Sequence, residues 1–456
     1  MPDFRPDRRQ FLSATGIAFA ALLASGCRTG SPSSDAGAVQ SAPTPTSGAS
    51  GAFAGYGPLR RDPDGLLDLP EGFSYRAISR LGDAMDDGGT VPDRADGMGA
   101  FDIGNGEIAL VRNHELRPGH GSGGVIASGY DRRRGEVLPG GTTTLVLDSR
   151  TLSVKRQFRS LGGTIRNCAG GTTPWGTWLS CEETVLAPGV SGGEGLSRSH
   201  GWVFEVPAAA PGLADPAPLT AMGRFNHEAA CVDPETGFVY MTEDRDDSVF
   251  YRFVPDVPGD LAKGGRLQAM AIENLPDTRN WTGTVIAPGQ SFAVRWIDMD
   301  EVEAPADDLR RRAADAGASL IARGEGLHMG EDALFICSTS GGLMKLGQIF
   351  RLVPGRGNGP DRVELFFESE SEDQFNYGDN LCVAPNGHLV VCEDQYTDIV
   401  DNHLRGITPD GRPYDFARLR SQTELAGACF SPDGRTLFVN AYSPTATLAI
   451  TGSWAA

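Results

Sequence analysis

The sequence is short of positive charge. Forty Lys and Arg stand against 59 Asp and Glu, a net charge of −19. Nucleic-acid binding needs Lys and Arg against phosphate, so this deficit excludes nucleic acid as a partner. An acidic surface repels phosphate esters as well, unless bound cations invert the local field. Long apolar runs are also missing. The stretch from Ile17 to Leu23 is too short to cross a bilayer, which takes roughly 20 apolar residues. Cysteine is sparse: eight residues, with no small-scaffold disulfide spacing. Most lie in apolar runs such as Leu334-Phe335-Ile336-Cys337, which predicts buried free thiols. Aromatics make up only 8% of the chain, whereas glycine is abundant at 60 residues. Many turns and short strands follow from that balance.

The first residues carry an export signal. Arg8-Arg9 precedes Gln10-Phe11-Leu12, and the short apolar segment ends in small residues. Charged, apolar and small-residue regions in that order define a signal peptide, and the arginine pair marks the twin-arginine route. Ala24-Ser25-Gly26 before Cys27 resembles a lipoprotein cleavage site, with Leu23 one place too early for the usual aliphatic residue. Residues 1–27 are therefore expected to be the signal, and Cys27 a lipid tether to the membrane. The translocase is the expected partner in export. The expected location is the periplasm, or the cell envelope through that anchor. Residues 28–55, rich in Ser, Pro, Gly and Ala, read as a flexible tether. Residues 56–456 remain for folding.

Six segments share a pattern. A turn rich in Gly, Pro, Asp or Asn leads into a short apolar strand that ends in polar or acidic residues. Gly104-Asn105-Gly106 leads to Ile108–Val111 and Asn113-His114-Glu115. Pro174-Trp175-Gly176 leads to Trp178-Leu179 and Glu182-Glu183. Asp233 to Gly237 leads to Val239-Tyr240-Met241 and Glu243-Asp244. The pattern returns before Leu334–Cys337, before Leu389–Cys392 with Glu393-Asp394, and before Leu437-Phe438-Val439. Following strands are expected at Gly201–Val206, Val249–Val254 and Gly347–Val353. Regular short strands with turn signals predict an all-β fold, and repetition predicts a β-propeller. A helical insertion is expected from Asp307 to about Ala322, with Arg310, Arg311 and Arg312 on its polar side. In a propeller, strand ends from every blade converge on a central channel. Glu115, Glu182, Glu228, Glu243 and Glu393 are expected to meet there.

Asn-His-Glu occurs twice, at Asn113-His114-Glu115 and Asn226-His227-Glu228. Alternate strand residues share a face, so Asn and Glu point together. Both are oxygen ligands suited to Ca²⁺. The adjacent Glu182 and Glu183 would face opposite sides, leaving one of them to the channel. A polar pair at a strand end, held within the blade, is the alternative for each motif.

The string from Asn167-Cys168-Ala169-Gly170-Gly171 through Pro174-Trp175-Gly176-Thr177-Trp178 to Cys181-Glu182-Glu183 is specific. With Arg224 to Ala230, Val239 to Asp244, Gly324-Glu325-Gly326-Leu327, Gly378-Asp379-Asn380-Leu381 and Ala428 to Gly434, it resembles the PhoX-type alkaline phosphatase family. The similarity runs from about residue 55 to 450. It implies a six-bladed propeller that holds several Ca²⁺ ions and a ferric pair, and that hydrolyses phosphate monoesters and in some members diesters. Arg323-Gly324-Glu325 is similar to the family's Arg-x-Glu, with Gly324 in place of a proline. Arg323 would then contact the phosphate, with Asn113 as a second donor. Expected metal ligands are Glu115, Glu182, Glu183 and Glu228, together with Glu243, Glu325, Asp379 and Glu393. Larger members use one Cys as an iron ligand, and the sequence assigns that role to no single Cys. A calcium-dependent propeller lactonase or esterase, and a non-catalytic propeller binding a cell-surface ligand, are the alternatives.

Overall fold

The computed structural model describes residues 55–62, 65–357, 359–395 and 401–454. The export signal, Cys27 and the tether up to residue 54 lie outside the described residues. Among those described, no helix is long and apolar enough to cross a membrane.

The fold is an all-β propeller. Six antiparallel units follow one another, and each begins with a strand rich in small residues. These inner strands are Ala95–Asp102, Asn167–Thr172, His227–Val232, Gly324–Met329, Gly378–Val383 and Leu425–Phe430. Each packs beside the next, and the last returns to the first, which closes a ring. Glycine makes the close approach feasible. A Cβ on Gly326 would lie 2.6 Å from the Asp379 carbonyl oxygen. At Gly427, with φ +63°, it would lie 2.3 Å from the Asp96 oxygen.

The second strand of every unit is one of the six turn-strand repeats read from the sequence. They are Glu107–His114, Thr177–Glu182, Val239–Glu243, Leu334–Ser338, Leu389–Glu393 and Thr436–Ala441. Apolar side chains from neighbouring units meet to form the core, as where Cys181 and Val203 join Phe225, Met241 and Tyr251. The expected third strands are present with small shifts: Val203–Pro207, Tyr251–Pro255 and Gln348–Val353. Ser74–Arg80 pairs with Ala446–Thr451, so an early strand completes the last unit. Strand Ser291–Asp298 links the third and fourth units into one nine-stranded sheet.

The insertion is shorter than expected. The helix covers Leu309–Asp315, and Gly317 at φ +95° ends it. The chain is already a strand at Leu320–Ile321. Arg310 is not on a solvated face: its side chain is 11% exposed and pairs with Asp247 and Asp307. Cys168 to Cys429 are all free thiols, and only Cys429 is not fully buried.

Candidate metal centre

Every inner strand pairs its first residue with the end of the second strand, then slips register by one residue. Such a bulge re-aims the side chains beside it. The residue after the first is Asp96, Cys168, Glu228, Glu325, Asp379 and Ala426 in the six units. This is an inner ring. An outer ring follows from the residue after each second strand: Glu115, Glu183, Asp244, Thr339, Asp394 and Tyr442. One backbone hydrogen bond repeats at all six positions. The outer-ring N–H donates to the carbonyl of the residue preceding the inner strand, from Glu115 to Arg94 at 2.9 Å through Tyr442 to Glu424 at 3.1 Å.

Two ligand groups emerge from these rings. Cys168, Glu183 and Glu228 offer atoms within 4.8 Å of one another, and so do Glu228, Glu325 and Asp379. All five residues are buried, and Glu228 belongs to both groups. Among the described residues, neither Glu228 oxygen has a hydrogen-bond partner. Burial, reinforced by Glu183, Asp379 and Asp96, holds its carboxyl well above the usual range. Asp96 and Glu325 are pushed up in the same way, burial first and neighbouring acids second. Burial likewise raises the Cys168 thiol, whose Sγ lies 3.4 Å from Asp96 Oδ2. A buried carboxylate without donors, packed beside other acids as Glu228 is, is strongly unfavourable unless a cation joins it. The donor set therefore fits bound metal.

The sequence-predicted residues divide sharply. Glu183, Glu228, Glu325 and Asp379 come together in the two groups. Glu115 stands in the outer ring, where it accepts hydrogen bonds from Arg166 Nε at 2.7 Å and from the Tyr442 hydroxyl. Three others point back into the blades. Glu182 accepts from the backbone N–H of Ile165 and Gly201 and from His200 Nδ1 at 2.7 Å. Glu393 accepts from Arg405 Nε at 2.7 Å and from the Asn376 and His403 backbone. Glu243 meets the Tyr251 hydroxyl at 3.1 Å, and burial pushes its carboxyl up to about 8. The expected convergence of Glu182, Glu243 and Glu393 is thus corrected by one residue: their successors Glu183, Asp244 and Asp394 occupy the outer ring.

Asn113 is also corrected. Its Nδ2 donates to the Cys168 and Ala169 carbonyls, and its Oδ1 accepts from Trp178 Nε1 and Ser180 Oγ. The side chain is fully buried and joins two units, with both amide hydrogens committed. The two Asn-His-Glu copies are not equivalent either. The first ends a second strand, and the second opens an inner strand. Arg323 lies at the centre, with Nε on Asp244 Oδ1 at 2.8 Å and Nη2 on Glu325 Oε1 at 2.7 Å.

Sequence reasoning assigned no ligand role to Cys168 or Asp244, and it passed over Asp96 and Arg166 altogether. The signal was present in the stretches that open the inner strands. Arg94-Ala95-Asp96-Gly97, Arg166-Asn167-Cys168-Ala169, Arg323-Gly324-Glu325-Gly326 and Tyr377-Gly378-Asp379-Asn380 align, and each has a potential ligand third.

Comparison with known proteins bears on the family and the fold. The chain matches the family described as Alkaline phosphatase PhoX over residues 54–151 and 145–445. Among solved structures, it is similar to Pseudomonas fluorescens PhoX in complex with vanadate, a transition state analogue, with 18% identity and a TM-score of 0.68. That match covers 85% of this chain and 96% of the other. A gluconolactonase from Xanthomonas campestris, XC5397, matches at 14% identity and a TM-score of 0.37, covering 87% of this chain and 98% of its own. No curated protein matches. The family match spans nearly all of the folded region, and the chain belongs to the PhoX alkaline phosphatase family of metal-dependent phosphatases.

Proposed function

We propose that this phosphatase is exported and hydrolyses phosphate monoesters, with diesters as a second class, at a calcium and iron centre in a six-bladed propeller. Glu228 carries the reading. It is a buried carboxylate with two oxygens unpartnered among the described residues, and two ligand groups share it. Donor chemistry separates those groups. Cys168 with Glu183 and Glu228 offers sulfur beside oxygen, which suits iron. Glu228 with Glu325 and Asp379 offers oxygen alone, which suits Ca²⁺. Cations held there would supply charge neutralisation to the phosphoryl oxygens.

The protein's own residues bind and orient. Arg323 presents a planar guanidinium that matches phosphate geometry. Its Asp244 and Glu325 contacts fix the direction of the fork, and its side chain is 19% exposed, at the edge of solvent. The ring of six inner strands supports the blade count. Arg8-Arg9 supports export, and Ala24 to Cys27 supports a lipid anchor. The vanadate complex of the Pseudomonas fluorescens protein is in keeping with the proposed chemistry.

Elemental analysis of protein purified without chelator, with p-nitrophenyl phosphate hydrolysis measured on the same sample, tests the reading. Iron and calcium together with hydrolysis are expected. Calcium alone without hydrolysis would favour a calcium-dependent lactonase instead. Arg323→Lys keeps the charge and loses the fork, so phosphate affinity should fall about tenfold while metal content stays.

A further inference from the structure

Arg94, Arg166 and Arg323 hold one repeated position. Each immediately precedes an inner strand, and each adopts a left-handed backbone, with φ of 58°, 52° and 50°. That region is uncommon for residues other than glycine, so its recurrence marks a constrained position. Each arginine reaches back to the outer-ring residue of the preceding unit. Arg94 Nη1 donates to the Tyr442 hydroxyl at 2.9 Å. Arg166 Nε donates to Glu115 Oε1 at 2.7 Å, and Arg323 Nε to Asp244 Oδ1 at 2.8 Å.

Two of the three also flank a ligand group. Arg166 Nη2 pairs with Glu183, and Arg323 Nη2 pairs with Glu325. Glu183 belongs with Cys168, Glu325 belongs with Asp379, and Glu228 is common to both groups. One guanidinium therefore stands at each end of a continuous line from Glu183 through Glu228 to Glu325. Arg166 is matched to Arg323 in exposure as well, at 14% against 19%.

We infer that Arg166 is a second phosphate-binding residue, placed across the shared Glu228 from Arg323. This rests on the reading of Arg323 as a phosphate contact. Glu115 does not depend on Arg166 for a donor, since the Tyr442 hydroxyl also bonds to it and Arg117 Nη2 lies 3.9 Å away. Arg166 Nε and Nη2 both reach Glu115 Oε1, at 2.7 and 2.6 Å, so turning to an incoming anion means releasing part of that pairing, and the Tyr442 hydroxyl stays on Glu115 when it does. The Nη1 contact to the Glu183 carbonyl, at 2.9 Å, anchors the guanidinium during that turn.

The test uses Arg166→Lys, Arg166→Gln and Arg323→Lys in the metal-loaded protein, with inorganic phosphate as the probe in titration calorimetry. Metal content and melting temperature are measured on the same samples. A charge-assisted hydrogen bond is worth enough to predict about tenfold weaker phosphate binding for Arg166→Lys and about a hundredfold for Arg166→Gln. Metal content should be unchanged in both. Phosphate affinity at the wild-type level in both variants overturns the proposal. Loss of metal together with affinity also overturns it, because Arg166 would then act by holding Glu115 and Glu183. If Arg166→Lys weakens phosphate while Arg323→Lys does not, the Arg323 reading fails, and the pairing of two arginines across Glu228 fails with it. A double Arg166→Lys, Arg323→Lys variant whose loss differs from the sum of the single losses would place both guanidiniums on one anion.

Discussion

Glu182 and Glu183 are neighbours in sequence, and both are buried, yet their surroundings are opposite in kind. Glu182 faces into its blade, where two backbone N–H groups and His200 bond to it. Glu183 faces the ring, where its neighbours include Cys168 and the orphaned carboxylate of Glu228. The same division recurs at Glu393-Asp394, with Arg405 and His403 on the blade side. Burial alone therefore does not mark a metal ligand. The contrast is sharpest between Glu182, whose oxygens are filled by donors, and Glu228, which has none among the described residues. A carboxylate whose lone pairs are filled by N–H groups is a structural tie, and one left bare beside other acids awaits a cation.

The sharpest way to break this comparison is to change each set from Glu to Gln. Glu228→Gln, Glu183→Gln and Glu325→Gln should each reduce p-nitrophenyl phosphate hydrolysis by about a thousandfold or more, because ligands of one centre act as a unit. Pairs of these changes should do little more than one. Full activity in any of the three would remove that residue from the centre.

Chelation should produce the next largest effect. Metals that bind only the folded state stabilise it by about 4 kcal/mol when present at a thousandfold over their dissociation constant. EGTA should therefore lower the melting temperature together with activity. An unchanged melting curve would mean that the ring acids hold no calcium.

The blade-facing set should respond in the reverse sense. Glu182→Gln breaks a buried pair with His200 and should cost about 3 kcal/mol of stability. Metal content should persist in the protein that remains folded. Loss of metal at unchanged stability would merge the two sets.

The smallest effect expected is on the pH dependence of stability. Burial raises Glu243 from its usual range to about 8, although Arg310 at 3.6 Å opposes the shift. A carboxyl raised on folding contributes stability that is complete below its unfolded pKa and is lost as pH rises through about 8. His200 is raised to about 9 by Glu182 and Asp131, which outweigh its burial. Its contribution is complete below the unfolded pKa and is lost as pH rises through about 9. Melting temperatures between pH 6 and 10 should thus fall less steeply in Glu243→Gln than in the wild type. Parallel curves would contradict this assignment.

Much of the fold was legible because turn chemistry and apolar strands repeat: all six of those segments became second strands. The inner strands were harder to read. They are built from Gly, Ala and single polar residues, and they lack the apolar alternation that announces a strand. Glu228 was singled out by the repeated Asn-His-Glu, and Glu325 and Asp379 by family motifs. Cys168 was passed over because a Cys in a β-run is by default a buried hydrophobe. Glu243 and Glu393 were chosen in place of their successors, and the choice between Glu182 and Glu183 stayed open, because strand polarity fixes which neighbour turns outward only once register is known. The Arg94, Arg166 and Arg323 repeat is visible only after the inner strands have been aligned.

Metal stoichiometry in Glu228→Gln tests the central claim most directly. Glu228 is shared, so one substitution should empty or weaken both ligand groups and lower both kinds of metal per chain relative to the wild type. If the variant is folded and holds the wild-type complement of every metal, Glu228 does not join two sites, and the centre described here is wrong.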